Sequence, residues 1–246
     1  MSGSVTGNTK NTKNAIEAEN ISYIYPDGTT GFRDVSLRIG EGERVAIIGA
    51  NGSGKSTLLM VLSGLLKPKT GSIRIYGIEP NKKNVERIRR MVGVVFQDPD
   101  DFLFNPTVRD ELMYVPLQLD WSAEEVERSV REYSEIFNLR EILHKPPFRL
   151  SGGEKKKVEI ASVLIARPRI LFLDEPTANV DGKARRKIME LLRGFDGTLV
   201  LTSHELEVAR KLCSRAIIMG MERRIVAEGD IALLDDEALL EEAGVL

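Results

Sequence analysis

The chain has 246 residues, 42% hydrophobic and 29% charged, proportions of a folded, water-soluble protein that exclude a disordered, collagen-like or membrane-embedded chain. Thirty-five Lys and Arg against 37 Asp and Glu leave a formal charge of −2, so no global field attracts nucleic acid or anionic lipid, and no nucleic-acid partner is expected. The length suits one large α/β domain or a domain with a lobe. The single Cys213 rules out an internal disulfide, and no apolar run approaches the ~18 to 20 residues of a membrane span.

Residues 1 to 14 are mostly Ser, Thr, Asn, Gly and Lys and are expected to be a disordered tail. They lack the apolar core of a secretory signal, which makes the cytosol the default compartment. Residues 15 to 246 read as a single domain. From Ile16 to Ile39 short apolar stretches flank Pro26-Asp27-Gly28, and Thr70-Gly71 precedes the alternating Ser72-Ile73-Arg74-Ile75-Tyr76. Both patterns predict antiparallel strands in a small β-lobe. Three continuous apolar runs, Val45 to Ile48, Ile170 to Leu173 and Thr198 to Leu201, predict strands buried on both faces of a parallel sheet. Helices are predicted over Thr57 to Leu66 and Lys155 to Ala166. Another follows Ser122, which with Glu125 makes a capping box ahead of Val126, Val130, Tyr133 and Phe137. Residues 98 to 165 are assigned to a helical lobe inserted between 15 to 97 and 166 to 246, which form an α/β core carrying the β-lobe.

Polar chemistry follows each buried run. The stretch Gly49-Ala50-Asn51-Gly52-Ser53-Gly54-Lys55-Ser56-Thr57 fits G-x-x-x-x-G-K-[ST], directly after a predicted strand and at the opening of a predicted helix. Its glycines let backbone N–H groups turn inward around phosphate oxygens, and the helix N-terminus adds positive potential. Lys55 supplies a mobile charge to the β- and γ-phosphates, and Ser56 a hydroxyl ligand for Mg2+. Asp174 closes an apolar strand, where a carboxylate is costly unless a cation held jointly with Ser56 offsets it. Glu175 then stands where a general base can polarise water; a helix cap is the plainer reading of the acidic pair. His204 is placed to meet a γ-phosphate and orient the water, or is a satisfied structural histidine. Ligands of open α/β sheets bind beyond the strands' carboxyl ends, so the three sets point to one shared site.

Leu150-Ser151-Gly152-Gly153-Glu154 bares backbone N–H groups at a helix start, by itself a weak sign of an anion site. Lys155, Lys156 and Lys157 are expected on a solvated helix face, with contact to anionic headgroups or a partner as the alternative; Arg89 and Arg90 read similarly. His144 beside Pro146-Pro147 reads as a turn residue and Cys213 as a small core residue. No metal site other than the nucleotide's Mg2+ is visible.

The P-loop, Gln97, LSGGE at 150 to 154, ILFLDEP at 170 to 176, the Asp181 turn and His204 occur in a characteristic order and approximate spacing. In this the sequence resembles ATP-binding cassette (ABC) ATPases over residues 15 to about 230. The resemblance implies a P-loop NTPase fold: an α/β, RecA-like, mostly parallel sheet core with an antiparallel β-lobe and an inserted α-helical lobe. It also implies ATP and Mg2+ as cofactors. Two cassettes, identical or paired with a different one, would stack head to tail. Ser151, Gly152 and Gly153 of one would then bind the γ-phosphate held by the P-loop of the other, and Asp181 would link the two sites. Gln97 would reach Mg2+ or the lytic water, joining Ser56 and Asp174 as a metal-binding residue, while Glu175, His204, Gln97 and Lys55 carry hydrolysis. The adenine-stacking aromatic falls on Tyr25, with Tyr23 two positions away; a strand-edge tyrosine is the plainer reading.

A narrower resemblance comes from Val94-Val95-Phe96-Gln97-Asp98-Pro99-Asp100-Asp101-Phe102-Leu103-Phe104, followed by Pro106-Thr107-Val108 and Asp110-Glu111. This segment is similar to the FQNPDDQLF…PTV stretch of energy-coupling factor (ECF) and cobalt/nickel-importer ATPases, as are YPDG at 25 to 28 and the Glu228 to Gly244 end. The resemblance implies an ATPase peripheral to the cytoplasmic face of the membrane, powering import of a transition metal ion or vitamin. Its partners would be a transmembrane T-component and a small substrate-binding membrane subunit. Phe102, where Gln is frequent, and Asn179-Val180, where Gly-Leu is usual, depart from the pattern, and a C-terminal dimerisation extension is not expected. The alternatives are an ATPase of a conventional ABC permease or exporter, a soluble ABC ATPase outside transport, and a cassette that binds nucleotide without hydrolysing it.

Overall fold

Side chains alternate sides along a strand, so a strand that is apolar at every position must be covered on both faces. In the computed structural model, which describes residues 13–246, the first half of the chain runs β1 (Asn14–Ile24), β2 (Thr30–Gly40), β3 (Arg44–Gly49), α1 (Lys55–Leu62), β4 (Thr70–Ile75), α2 (Val85–Arg89) and β5 (Val92–Val95). Helices α3 (Val108–Gln118), α4 (Ala123–Ile136) and α5 (Gly152–Leu164) come next. The chain then returns through β6 (Ile170–Asp174), α6 (Gly182–Arg193), β7 (Thr198–Ser203), α7 (Leu206–Leu212), β8 (Arg215–Met219), β9 (Ile225–Asp230) and α8 (Glu237–Glu242).

The main sheet has the order β5-β6-β7-β3-β8-β9; its first five strands are parallel, and β9 pairs antiparallel with β8 at the edge. Ala46, Ile48, Leu171, Leu173, Leu199 and Leu201 face a core closed by α3 to α7. Val45, Ile47, Ile170, Phe172 and Val200 face a second core with Leu58 of α1 and Ile16 and Phe32 of a smaller sheet. That sheet is antiparallel, of order β2-β1-β4. Fully burying one such side chain is worth about 2 kcal/mol, an upper estimate because unfolded chains are partly collapsed. The α/β, mostly parallel architecture with an antiparallel sheet is the one expected.

Local differences have local causes. Residues 1–12 of the expected tail lie outside the described residues, and Asn14 already pairs with Gly40 as the first residue of β1. The helix predicted over Thr57 to Leu66 is α1, which starts at Lys55 and stops at Leu62 because Gly64 turns left-handed, with φ 79°, and its N–H closes on the Val61 carbonyl. The helix predicted over Lys155 to Ala166 is α5, which begins earlier because Ser151 and Glu154 form a second capping box beside the expected one at Ser122 and Glu125.

Lys155 to Lys157 do not form the solvated face expected of them. Lys156 is 1% exposed and pairs with the fully buried Glu159, and Lys155 reaches Asp100. Cys213 is buried, and burial pushes its thiol up to about 12, so its nucleophilic thiolate is suppressed. In the native protein at neutral pH Cys213 should therefore resist iodoacetamide, and it should label fully in denaturant; mass spectrometry after each treatment distinguishes the two states.

Candidate functional site

Parallel strands end together, and here β5, β6, β7 and β3 bring Gln97, Asp174, Glu175, His204 and the Gly49 to Gly54 loop to one edge of the sheet. Particular positions of the loop require glycine. Gly52 and Gly54 have φ of 83° and 96°, and a Cβ on Gly54 would stand 2.2 Å from the Gly31 carbonyl oxygen. Gly31, in β2, packs a would-be Cβ 2.6 Å from Thr57 Cγ2, so the small sheet closes directly onto the start of α1. Gly49 is equally tight, its would-be Cβ 2.5 Å from the Met219 carbonyl oxygen.

Donors and acceptors in the loop are set for an anion and a cation. Lys55 Nζ donates to the Gly49 and Ala50 carbonyls at 2.8 and 3.0 Å, leaving one of three protons to give. Burial lowers the pKa of its ammonium, against the opposing pull of Glu175 and Asp174. Ser53 is fully buried and its Oγ has no hydrogen-bond partner, an orphan that needs a ligand or water. Ser56 Oγ donates to Asp174 Oδ1 at 3.0 Å, and the Thr202 hydroxyl donates to the same oxygen at 2.5 Å. A hydroxyl beside a carboxylate is a hard-oxygen pair suited to Mg2+. The residues present therefore fit a phosphate chain accompanied by a divalent cation.

Glu175 is held in a left-handed backbone conformation, φ 47°, a strain that surrounding structure must offset. Its N–H bonds to the Thr202 carbonyl and hydroxyl, both at 3.2 Å. The Glu175 carboxylate is buried; Oε2 lacks a well-aligned hydrogen bond but has His204 Nδ1 3.0 Å away. A carboxylate short of partners and backed by an imidazole is arranged to accept a proton from water.

These groups share a cleft of about 400 Å3, lined among others by Tyr25, Asn51, Gly52, Gly54, Lys55, Ser56, Thr57, Gln97, Glu175 and His204. Tyr25 donates to or accepts from the Thr57 hydroxyl at 2.8 Å, and meets Tyr23 edge to face with ring centroids 5.0 Å apart. Tyr23 packs against the core behind it, so of the two rings Tyr25 faces the cleft. Arg223, in the β8–β9 turn, also lines the cleft. Sequence reading missed it because an arginine in a turn carries no motif.

Ser151, Gly153 and Asp181 line a different cavity. Gly153 abuts the first turn of α6, where an added Cβ would lie 2.7 Å from Ala184 Cβ; Gly152 is exposed beside it. Asp181 caps α6 by accepting from the Lys183 and Ala184 N–H groups at 2.8 and 2.9 Å, bonds that hold its carboxyl below the usual range. The residues expected to hold nucleotide are thus divided between two separate cavities. Asn179 sits at φ 58°, so where Gly is usual this chain has one of the few other residues that tolerate the left-handed turn. A larger cavity of about 580 Å3 lies at the opposite end of the strands, but its Arg169 is already engaged by Glu41 and the Tyr76 ring.

A family model described as ABC transporter matches residues 32–178. A protein of Archaeoglobus fulgidus, provisionally assigned as an ABC transporter ATP-binding protein, is 63% identical over 231 residues, covering 94% of this chain and 97% of its own. The energy-coupling factor transporter ATP-binding protein EcfA of Methanothermobacter thermautotrophicus is 38% identical over 94% of this chain and 76% of that protein. Among solved structures, cbiO1 of Clostridium perfringens, part of the ABC transporter complex cbiONQ, superposes with a TM-score of 0.80 at 29% identity, covering 95% of each chain. The cassette MJ0796, solved as a post-hydrolysis dimer with ADP and Pi, gives a TM-score of 0.79 at 30% identity over 88% of this chain and 98% of that one.

The loop geometry separates two substitutions. Gly54→Ala meets both a clash and a forbidden φ, and should cost more than about 2 kcal/mol and abolish nucleotide binding; Gly52→Ala faces open space and should cost only the φ penalty of about 1 kcal/mol. Thermal melts and titration with a fluorescent ATP analogue read both.

Proposed function

This chain belongs to the ABC transporter family of ATP-binding proteins, and from that premise we propose that it is the ATPase subunit of an ECF-type importer for a transition metal ion such as cobalt or nickel, or for a vitamin. The family assignment makes it an ATP-hydrolysing cassette of a transporter. The importer class is our reading, carried by the Phe96 to Phe104 segment together with the similarity to EcfA and cbiO1.

In this reading the Gly49 to Gly54 amides and Lys55 hold the phosphates of ATP, and Tyr25 stacks on the adenine. Mg2+, held by Ser56, Asp174 and Gln97, would supply charge neutralisation across the β- and γ-phosphates. Glu175 accepts the proton of the attacking water, and His204 orients the Glu175 carboxylate and the γ-phosphate. Ser151, Gly152 and Gly153 donate to the γ-phosphate of a second cassette, and Asp181 passes the contact on.

Support for a membrane partner lies on the helical lobe. Phe104 is 65% exposed and stacks edge-on against the exposed Tyr114, with Phe148 also bared. No helix among the described residues is long and apolar enough to cross a membrane, so transport requires transmembrane subunits; we place the chain at the cytoplasmic face beside a T-component and a small substrate-binding subunit.

Replacing Glu175 with Gln should retain ATP binding, lower turnover by about 10²-fold or more and accumulate a closed dimer, while Lys55→Ala should lose nucleotide binding. Wild-type turnover in the Gln variant sinks the assignment of the base. For the partner, the chain is captured from its own cell's membranes in mild detergent with an ATP analogue and Mg2+, and co-purifying subunits are identified by mass spectrometry. A T-component with a small binding subunit is the expected result; a conventional permease pair, or recovery without membrane protein, overturns the importer reading.

A further inference from the structure

Burying two opposite charges in a helix is rarely worth its desolvation cost for stability alone, since an apolar pair of the same volume usually serves as well. Helix α5 nevertheless does so at Lys156 and Glu159, 1% and 0% exposed. What the pair reaches accounts for it. Lys156 Nζ spends its three protons on the Phe96 carbonyl at 2.7 Å, the Gln97 carbonyl at 3.0 Å and Glu159 Oε2 at 2.8 Å. Glu159 Oε1 accepts the Phe96 N–H at 2.7 Å. Burial raises the pKa of the Glu159 carboxyl while Lys156 pulls it back down. Three consecutive peptide groups at the end of β5, Val95–Phe96, Phe96–Gln97 and Gln97–Asp98, are therefore gripped, and a second tie lies outside, where Lys155 Nζ meets both Asp100 oxygens at 2.6 and 2.9 Å. An apolar pair could fill the space but could not fix the direction of those peptides.

The gripped segment carries Gln97 into the nucleotide cleft. The gripping helix begins at Gly152, so its cap and first turn present Ser151 and Gly153 to the cavity that holds Asp181. We propose that Lys156 and Glu159 are positioning residues for ATP hydrolysis, joining the Gln97 peptide to α5 so that contact at Ser151 to Gly153 and placement of the Gln97 side chain are one movement. The proposal rests on the ABC ATPase reading of both cavities.

The test compares two double variants, each free of a lone buried charge, with the wild type and with Lys55→Ala. Lys156→Met with Glu159→Leu removes the grip; Lys156→Gln with Glu159→Gln keeps donors and acceptors. The apolar pair should melt no lower than the wild type and bind a fluorescent ATP analogue within about twofold, yet lose at least about tenfold in kcat. Without nucleotide, its Phe96 amide should exchange hydrogen at least about tenfold faster. The Gln pair should recover most of the kcat and of the protection. An apolar pair with wild-type kcat overturns the proposal, as does a parallel loss of melting temperature, affinity and kcat in both doubles, which marks a structural role. Failure of the underlying reading has its own signature: a wild type without ATP turnover, or Lys55→Ala binding nucleotide normally.

Discussion

A strand buried on both faces has nowhere to display polar chemistry except its ends, and that constraint organises this molecule. β6 and β7 are buried throughout and β3 and β8 at all but their first residue, and the parallel sheet they form with β5 delivers Gln97, Asp174, Glu175, His204 and the Gly49 to Gly54 loop to a common edge. The same burial makes the edge costly. Asp174 and Glu175 are nearly excluded from water, and each is secured through β7: Asp174 by the Thr202 hydroxyl, Glu175 through backbone bonds to Thr202. Thr202 is thus a structural residue on which both acids depend, although it has no reactive role of its own.

The small antiparallel sheet adds what the parallel sheet cannot. A cleft formed only by strand ends would be open on one side; β2 closes it by bringing Gly31 against Gly54 and Thr57. Tyr25, in the β1–β2 turn, is fixed by its bond to the Thr57 hydroxyl. Tyr25 and the Gly49 to Gly54 loop are in this way registered to each other, by a hydrogen bond to Thr57 and by approaches at Gly31 and Gly54 too close for any side chain larger than hydrogen.

The candidate site's convergence at one edge was legible in the sequence because its patterns are local: a glycine pattern with a lysine, an acidic pair after an apolar run, a histidine after another. The capping box at Ser122 was equally readable, being complete within four residues, whereas the one at Ser151 has the same pattern but was read only as an exposed helix start. Long-range contacts were not. Lys156 looks like its neighbours in a lysine run, and only the packing of α5 against the end of β5 reveals that it faces inward to two carbonyls. Arg223 reaches the cleft from a turn that no motif marks. β8 carries a readable apolar run, Ala216 to Met219, that sequence reading passed over, whereas the half-exposed β9 depends on pairing with β8 for its existence. Asn179 looked like a departure from the family pattern, and its left-handed backbone turns it into a conservative replacement.

The separation of the two cavities has a mechanical consequence. In the proposed reading the cleft takes a nucleotide triphosphate, whereas Ser151 and Gly153 open onto another cavity, so a single chain would leave the far side of the phosphates to solvent. In the head-to-tail arrangement we propose, bound ATP becomes part of the contact between cassettes, and its γ-phosphate is the piece that hydrolysis removes. Closure then depends on a ligand that the closed state itself destroys. For that cycle to move a membrane partner, the nucleotide edge must be rigidly connected to the helical lobe on which Phe104 and Tyr114 are exposed. The chain from Gln97 through Asp100 to Phe104 is short, and α5 holds it at Phe96, Gln97 and Asp100. Under the proposed function, the path from phosphate to membrane partner would run through this one clamped segment, with few rotatable joints in which displacement could be lost.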